Sequence, residues 1–330
     1  MYNLPWENGE ERFISYWMYW IYWKKRDENV NKSNCKICKN GENIFELIGG
    51  YMTNYLDDIR YNGKVQAVIL DWSGTTADAY VVAPAVVFVD VFKKQNVEIS
   101  MAEARGPMGL RKDLHIKALT EVDEIKERWK GVHGKYPDQD DVDKMFADFV
   151  PMQLACLRKY TNLLPGVADV TQRMQKQGIK LGSTTGFVRS MVDILEEEAA
   201  KQGYKPDASV AGDEVVNGAR PSPHMVYKNL DMLGITPIQS VIKVDDTISG
   251  VGEAVNAGCW GVGVTRYSNY MDVDTPEDGE KLSEEEISKR KAHTHKLLEK
   301  AGAHYVIDSI ADIEPVIEDV NKRLANGERP

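Results

Sequence analysis

Chemistry-bearing residues stand at the ends of apolar runs and in one amphipathic stretch. VQAVIL runs into Asp71 and then SGTT; IKLGSTT ends on Thr185, followed by Gly186; VIKVDDT sets Asp245 beside Asp246; and GARPSP holds Arg220. Adjacent carboxylates at a strand end suit a hard cation that takes oxygen ligands and keeps some of its waters. A guanidinium such as Arg220 gives bidentate recognition of a phosphoryl group. Gly74 lets backbone amides approach a phosphoryl oxygen, and Thr75 can cap the turn. In GPMGLRKDLHIKAL, Pro107 suits a first helical turn, so that Met108, Lys112 and His115 fall at i, i+4 and i+7 on one face and present a thioether, an amine and an imidazole together. Taken singly, each has an ordinary reading: a strand-end cap for Asp71 or Thr185, a solvated surface group for Arg220 or Lys112.

The elements that must position these groups read as α/β. From Val65 onward, β-branched apolar runs alternate with helical patterns, the sign of a parallel sheet with helices on both faces. The predicted strands are VQAVILD, IKLGSTT (179–185), ASVAGD (208–213), VIKVDD (241–246), WGVGVT (260–265) and YVIDS (305–309). Ligands of open α/β sheets bind beyond the carboxyl ends of the strands, so the polar residues there converge on one crevice. Between the first and second strands only helical patterns occur. Residues 80–165 are therefore expected to form an inserted α-helical cap on a core of 52–79 and 166–330. DTPEDGEKLSEEEISKRKAHTHKLLEK reads as a solvated helix capped by Ser283, on which His293 and His295 do not share a face.

Composition narrows the function. A net charge of -10 over 330 residues lacks the clustered cations that nucleic acid requires. Four cysteines are too few for a disulfide framework and fit a reducing, cytoplasmic setting. FISYWMYWIYW covers about 11 residues where a membrane span needs about 20, and acidic residues precede it, unlike a secretory signal. No membrane partner is expected. Residues 1–51, with a lone Cys35/Cys38 pair that offers zinc only half a ligand set, read as an N-terminal extension.

The strand-end motifs, in their order along the chain, resemble those of the haloacid dehalogenase superfamily, whose Rossmann-like core carries an inserted cap. ARxPMGLxKxxHxxAL following DWxGTT, together with KVDDT and GSTTGFVRSMVDI, is similar to the phosphonoacetaldehyde hydrolase (phosphonatase) family, from about Val65 to the C-terminus. The resemblance implies that Asp71 is the nucleophile, forming an aspartyl phosphate, and that Lys112 forms a Schiff base with the substrate aldehyde. By the same resemblance Thr185, Gly186 and Arg220 bind the phosphoryl group with Gly74 and Thr75. Asp71, Asp246 and the Ser73 backbone carbonyl hold Mg2+, with Asp245 in its outer sphere. His115 is assigned to proton transfer and Met108 to packing against substrate. The resemblance also implies a homodimer and an upstream aminotransferase.

Ser73 fits this reading. Superfamily phosphatases usually carry there a second aspartate that protonates a leaving alkoxide. Carbon–phosphorus cleavage into a protonated imine needs no such acid. The chain departs from the family pattern at Phe187, where a tyrosine often stands, and at Gly250, where another aspartate is common; Asp245 is expected to replace that outer carboxylate. The alternatives are a haloacid dehalogenase, a phosphomonoesterase or sugar-phosphate mutase, or a non-catalytic phosphonate-binding protein on the same scaffold.

Overall fold

In the computed structural model the sheet is built around β1 (Ala67–Leu70), whose four residues are all buried. The structure describes residues 61–216 and 218–330; the aromatic run, the Cys35/Cys38 pair and the expected domain start at Met52 lie outside them. The sheet with its covering helices belongs to one compact unit, 61–330. The further strands are β2 (Lys180–Thr185), β3 (Ala208–Ala211), β4 (Val241–Asp245), β5 (Trp260–Val264) and β6 (Tyr305–Ile307). All pairings are parallel, in the order β3-β2-β1-β4-β5-β6. Each lies within a run predicted from sequence, shortened by one to three residues where pairing ends.

Helices cover both faces. α1 (Val82–Lys94), α2 (Met101–Arg105), α3 (Lys112–Glu121), α4 (Asp123–His133) and α5 (Gln139–Leu157) lie between β1 and β2. They are followed by α6 (Val167–Lys176), α7 (Arg189–Lys201), α8 (His224–Leu233), α9 (Ile248–Ala257), α10 (Pro276–Glu280), α11 (Glu284–Lys300) and α12 (Ile313–Ala325). Successive side chains of a strand point to opposite faces. Val68 and Leu70 accordingly share a core with Val170 and Met174 of α6 and Val316 of α12, while Ala67 and Ile69 pack with Val226 of α8 and Ala254 of α9. A strand apolar on both faces is the mark of a covered parallel sheet. Ser283 caps α11 through the Glu286 N–H, as its sequence suggests.

No strand occurs between β1 and β2 among the described residues apart from isolated bridges at Ser73, Ala77 and Leu163. The two ends of this helical insertion meet where Leu164 N–H donates to Thr76 O at 2.9 Å. Ser100 and Asp138 close capping boxes at α2 and α5, and Phe88, Trp129, Met145 and Phe149 pack within the insertion.

One local expectation fails. The helix carrying Lys112 begins at Lys112, so Met108 precedes it and the one-face spacing from Met108 to His115 does not exist. Gly109 interrupts the helix at φ +94°; a Cβ there would lie 2.2 Å from Ser249 Oγ and 2.4 Å from Thr247 Oγ1. The segment leaves helical geometry in order to lie against the core, and only glycine permits that approach. The helix after Arg220 likewise starts at His224 rather than near Pro221.

Candidate active site

Register brings the site together. Leu70 of β1 stands opposite Ser183 of β2 and Val244 of β4, so one residue further Asp71 emerges between Thr184 and Asp245. Strand order runs away from β1 in both directions, so β1 marks the switch point where an open sheet leaves its crevice. Gly74 turns the chain back at φ +79°, and a Cβ on it would stand 2.6 Å from Asp246 Oδ2, so the turn after β1 is seated directly on Asp246. Thr76, not Thr75, closes the turn: its Oγ1 donates to Asp71 O at 2.9 Å, whereas Thr75 Oγ1 is buried with no partner among the described residues. The expectation that Thr75 caps the turn is corrected.

Arg220 lies at the centre, 2% exposed. Its Nη2 donates to Asp71 Oδ1 at 2.6 Å and to Thr184 Oγ1 at 2.7 Å, and Nε donates to Glu253 Oε2 at 3.1 Å. Burial works against its charge, yet Asp245, Asp71 and Glu253 hold it protonated above its ordinary range. Asp245 is saturated: Oδ2 meets Lys243 Nζ at 2.7 Å and Arg220 Nη2 at 3.2 Å, while Oδ1 accepts from Thr247 N–H and Oγ1. Lys243 and Arg220 outweigh burial and hold the Asp245 carboxyl below its usual range. Asp246 differs. Its Oδ2 accepts from Asn269 N–H at 2.8 Å, Oδ1 has no partner, and burial together with Asp245 and Asp71 pushes its pKa well up.

These residues fit a divalent cation. Oxygens of Asp71, Asp245 and Asp246 lie within 4.8 Å of one another, and the orphaned buried Asp246 Oδ1 is an oxygen without another use. Asp71 is raised by burial against the opposing pull of Arg220, so mutual repulsion and desolvation are stored where a cation would relieve them. Asp245, with both oxygens occupied, is placed to orient the cluster rather than to give up a lone pair.

Lys112 begins α3 and is 5% exposed. Its ammonium lies 4.7 Å from the centre of the Phe187 ring and 5.7 Å from that of Phe88. Burial lowers its pKa to about 8, against the raising effect of Asp71. His115 is fully buried, stacked on Phe88 at 3.8 Å, with Nε2 2.9 Å from Ala104 O. A carbonyl can only accept, so Nε2 carries the proton and Nδ1, which has no partner, keeps its lone pair. Burial, then Lys112, holds the ring neutral.

Met108 is buried beside Val81 and Ala85. Thr185 Oγ1 accepts from Phe187 N–H at 3.2 Å, and Gly186 is where the insertion touches the core, since a Cβ on it would meet Leu110 O at 2.4 Å. Ser73 follows Trp72 into the turn, close to Asp78, a carboxyl that burial pushes up to about 7 against the Ala83 and Val82 N–H bonds. Sequence reasoning missed Asp78, Thr184, Lys243 and Glu253. Lys243 carried a signal, a charge inside an otherwise apolar strand, because an unpaired lysine is almost never fully buried.

This fold and constellation are those of the haloacid dehalogenase-like hydrolases, and the family model so described matches residues 65–258. The chain is 41% identical to the phosphonoacetaldehyde hydrolase of Nitratidesulfovibrio vulgaris over 82% of its own length and 96% of that protein, and 41% identical to that of Salmonella agona over 81% and 99%. It is 43% identical to a bifunctional phosphonoacetaldehyde hydrolase/aminoethylphosphonate transaminase of Clostridioides difficile, over 78% of this chain and 40% of that longer protein. A crystal structure of a phosphonoacetaldehyde hydrolase-like protein from Oleispira antarctica superposes with a TM-score of 0.80 at 39% identity, covering 82% of this chain and 98% of that one. A hydrolase from Pseudomonas syringae, at 16% identity and a TM-score of 0.56 over 77% and 98%, shares the fold alone. The chain belongs to the phosphonoacetaldehyde hydrolase family.

Proposed function

We propose that this protein hydrolyses phosphonoacetaldehyde to acetaldehyde and phosphate. The observation that carries the reading is a buried lysine, Lys112, whose charge feels that of Asp71 at the end of β1 and of Arg220, which is bonded to Asp71. Burial that lowers Lys112 to about 8 leaves about one part in ten neutral at pH 7, against about one in three thousand at the ordinary pKa. The neutral amine adds to the aldehyde, water leaves, and the imine takes up one proton from solvent to become an iminium. Asp71 attacks phosphorus, the carbon–phosphorus bond breaks, and its electron pair flows into the iminium to give an enamine. Protonation at carbon and hydrolysis return acetaldehyde and Lys112; water cleaves the aspartyl phosphate. Arg220, with the Thr75 hydroxyl and the Gly74 turn, is assigned to the phosphonate oxygens, and Thr185 and Gly186 line the same crevice. Asp71, Asp246 and the Ser73 carbonyl would hold Mg2+, oriented by Asp245, and the ion would offset the charge gathering on phosphorus. His115, through Nδ1, is assigned to proton movement, and Met108 to packing beside Val81 at the substrate.

Purified protein with Mg2+ is expected to release acetaldehyde from phosphonoacetaldehyde, read by coupled reduction with an alcohol dehydrogenase. Release of phosphate from simple esters with no acetaldehyde from this substrate would reject the reading. The kcat/KM profile should rise with pH through a midpoint near 8, because it reports the free enzyme and Lys112 must lose its proton to attack. A midpoint near the usual lysine value would mean that the carboxylates around Lys112 offset its burial in the working enzyme. His115→Ala should lower turnover by about 10²-fold with Mg2+ affinity unchanged; equal activity removes His115 from the mechanism.

The transaminase portion named for the Clostridioides difficile relative supports an aminotransferase as the source of the aldehyde. We also assign a homodimer, testable by sedimentation, and a cytoplasmic location. Among the described residues no helix is long and apolar enough to cross a membrane.

A further inference from the structure

Arg105, at the end of α2, is a buried cation outside the cluster around Arg220. Its Nη1 donates to Tyr80 O and lies 3.5 Å from Asn269 Oδ1, its Nη2 donates to Val273 O, and Asp274 stands at 3.7 Å. In return Asn269 Nδ2 donates to Arg105 O at 3.1 Å. The same Asn269 gives its backbone N–H to Asp246 Oδ2, and its neighbour Ser268 donates Oγ to Asp246 O at 2.9 Å. Asn269 is thus two-ended, with its side chain on the insertion and its main chain on Asp246. The carbonyl gripped by Arg105 belongs to a strained crossing segment: Asp78, Tyr80 and Val81 have φ of 51°, 66° and 56°. Non-glycine residues persist in that region only where their surroundings hold them.

We propose that Arg105 and Asn269 form a positioning pair through which docking of the helical insertion sets Asp246 for a divalent cation. This rests on reading the acidic cluster as a cation site. With Oδ2 fixed by Asn269 N–H, Oδ1 is the oxygen left without a partner and open to a cation; if the 268–274 loop is released, Asp246 loses that orientation. Coupling is reciprocal, so a cation on Asp246 must favour docking by the same factor by which docking favours the cation.

The test is calorimetric titration of the full chain with Mg2+ alone, without substrate, comparing the unaltered protein with Asn269→Ala, Arg105→Lys and the double variant. Each single change is expected to weaken Mg2+ binding about tenfold, as loss of an outer-shell partner does, and the double to lose less than the product because both break one connection. Asn269→Ala keeps the Arg105 bonds to Tyr80 and Val273, so it carries the test if Arg105→Lys does not fold. Mg2+ should also slow amide exchange across 78–85 in the unaltered protein and not in Asn269→Ala, a response that a merely structural role would not produce. Unchanged Mg2+ affinity in folded Asn269→Ala, or equal exchange protection in both, overturns the proposal. Absence of Mg2+ binding by the unaltered protein would instead reject the cation reading beneath it.

Discussion

Lys112→Arg is expected to abolish acetaldehyde release, lowering turnover by about 10⁴-fold or more, as removal of a covalent catalytic group does. Arginine keeps the positive charge beside Asp71 and can stack on Phe187 and Phe88 as the ammonium does. What it cannot do is lose a proton and condense with an aldehyde. The substitution therefore separates electrostatics from covalency. Borohydride added with substrate should fix a secondary amine on Lys112, found by mass spectrometry of the peptide that contains it, and none in the variant. If Lys112→Arg held turnover within about tenfold of the unaltered protein, charge alone would suffice and the imine route would fall. Lys112→Met, which removes charge as well, should be no more active than Lys112→Arg.

Gly250→Ala should be the most damaging single methyl group in the core. A Cβ at 250 would lie 1.8 Å from Asp245 Cγ and 2.0 and 2.1 Å from its oxygens. Asp245 cannot yield cheaply, because Lys243, Arg220 and Thr247 hold both oxygens. Expelling it leaves two buried cations short of a partner, a loss of about 3–5 kcal/mol. Urea unfolding should show that drop in stability, and turnover should fall as Arg220 loses its orientation toward Asp71. The overlap also accounts for glycine at 250: the Asp245 carboxylate fills that space from the preceding strand. Asp245→Gly combined with Gly250→Asp is expected to recover about 1–3 kcal/mol relative to the sum of the single changes. Strict additivity would show that the two positions do not share one carboxylate site.

Much of this site was legible in the sequence because it hangs on strands. A run such as VQAVIL or VIKV is buried on both faces, so its hydrophobicity announces it and its last residue is necessarily at the sheet's edge; Asp71, Thr185, Asp245 and Asp246 could be placed from that alone. The helical capacity of the insertion was equally visible in its periodicity. The GPMGL segment was not. Propensity favours a helix through Met108, but Gly109 must meet Thr247 and Ser249, and a contact between segments so far apart in the chain leaves no local trace. Phe187 read as a lost hydroxyl; in the folded protein its ring face lies against Lys112.

By itself, then, the sequence determined the parallel sheet, the gathering of Asp71, Asp245 and Asp246 at its carboxyl end and the helical insertion, since all of these follow from short-range periodicity and the order of elements. Only the tertiary structure decided which groups are free to act. That Thr76 rather than Thr75 closes the turn, that Asp245 is saturated while Asp246 Oδ1 is bare, that His115 keeps Nδ1 open, and that Lys243 and Glu253 belong to the cluster all depend on hydrogen bonds between distant segments. A buried polar atom is defined by whether a partner reaches it, and partners are assigned by packing in three dimensions.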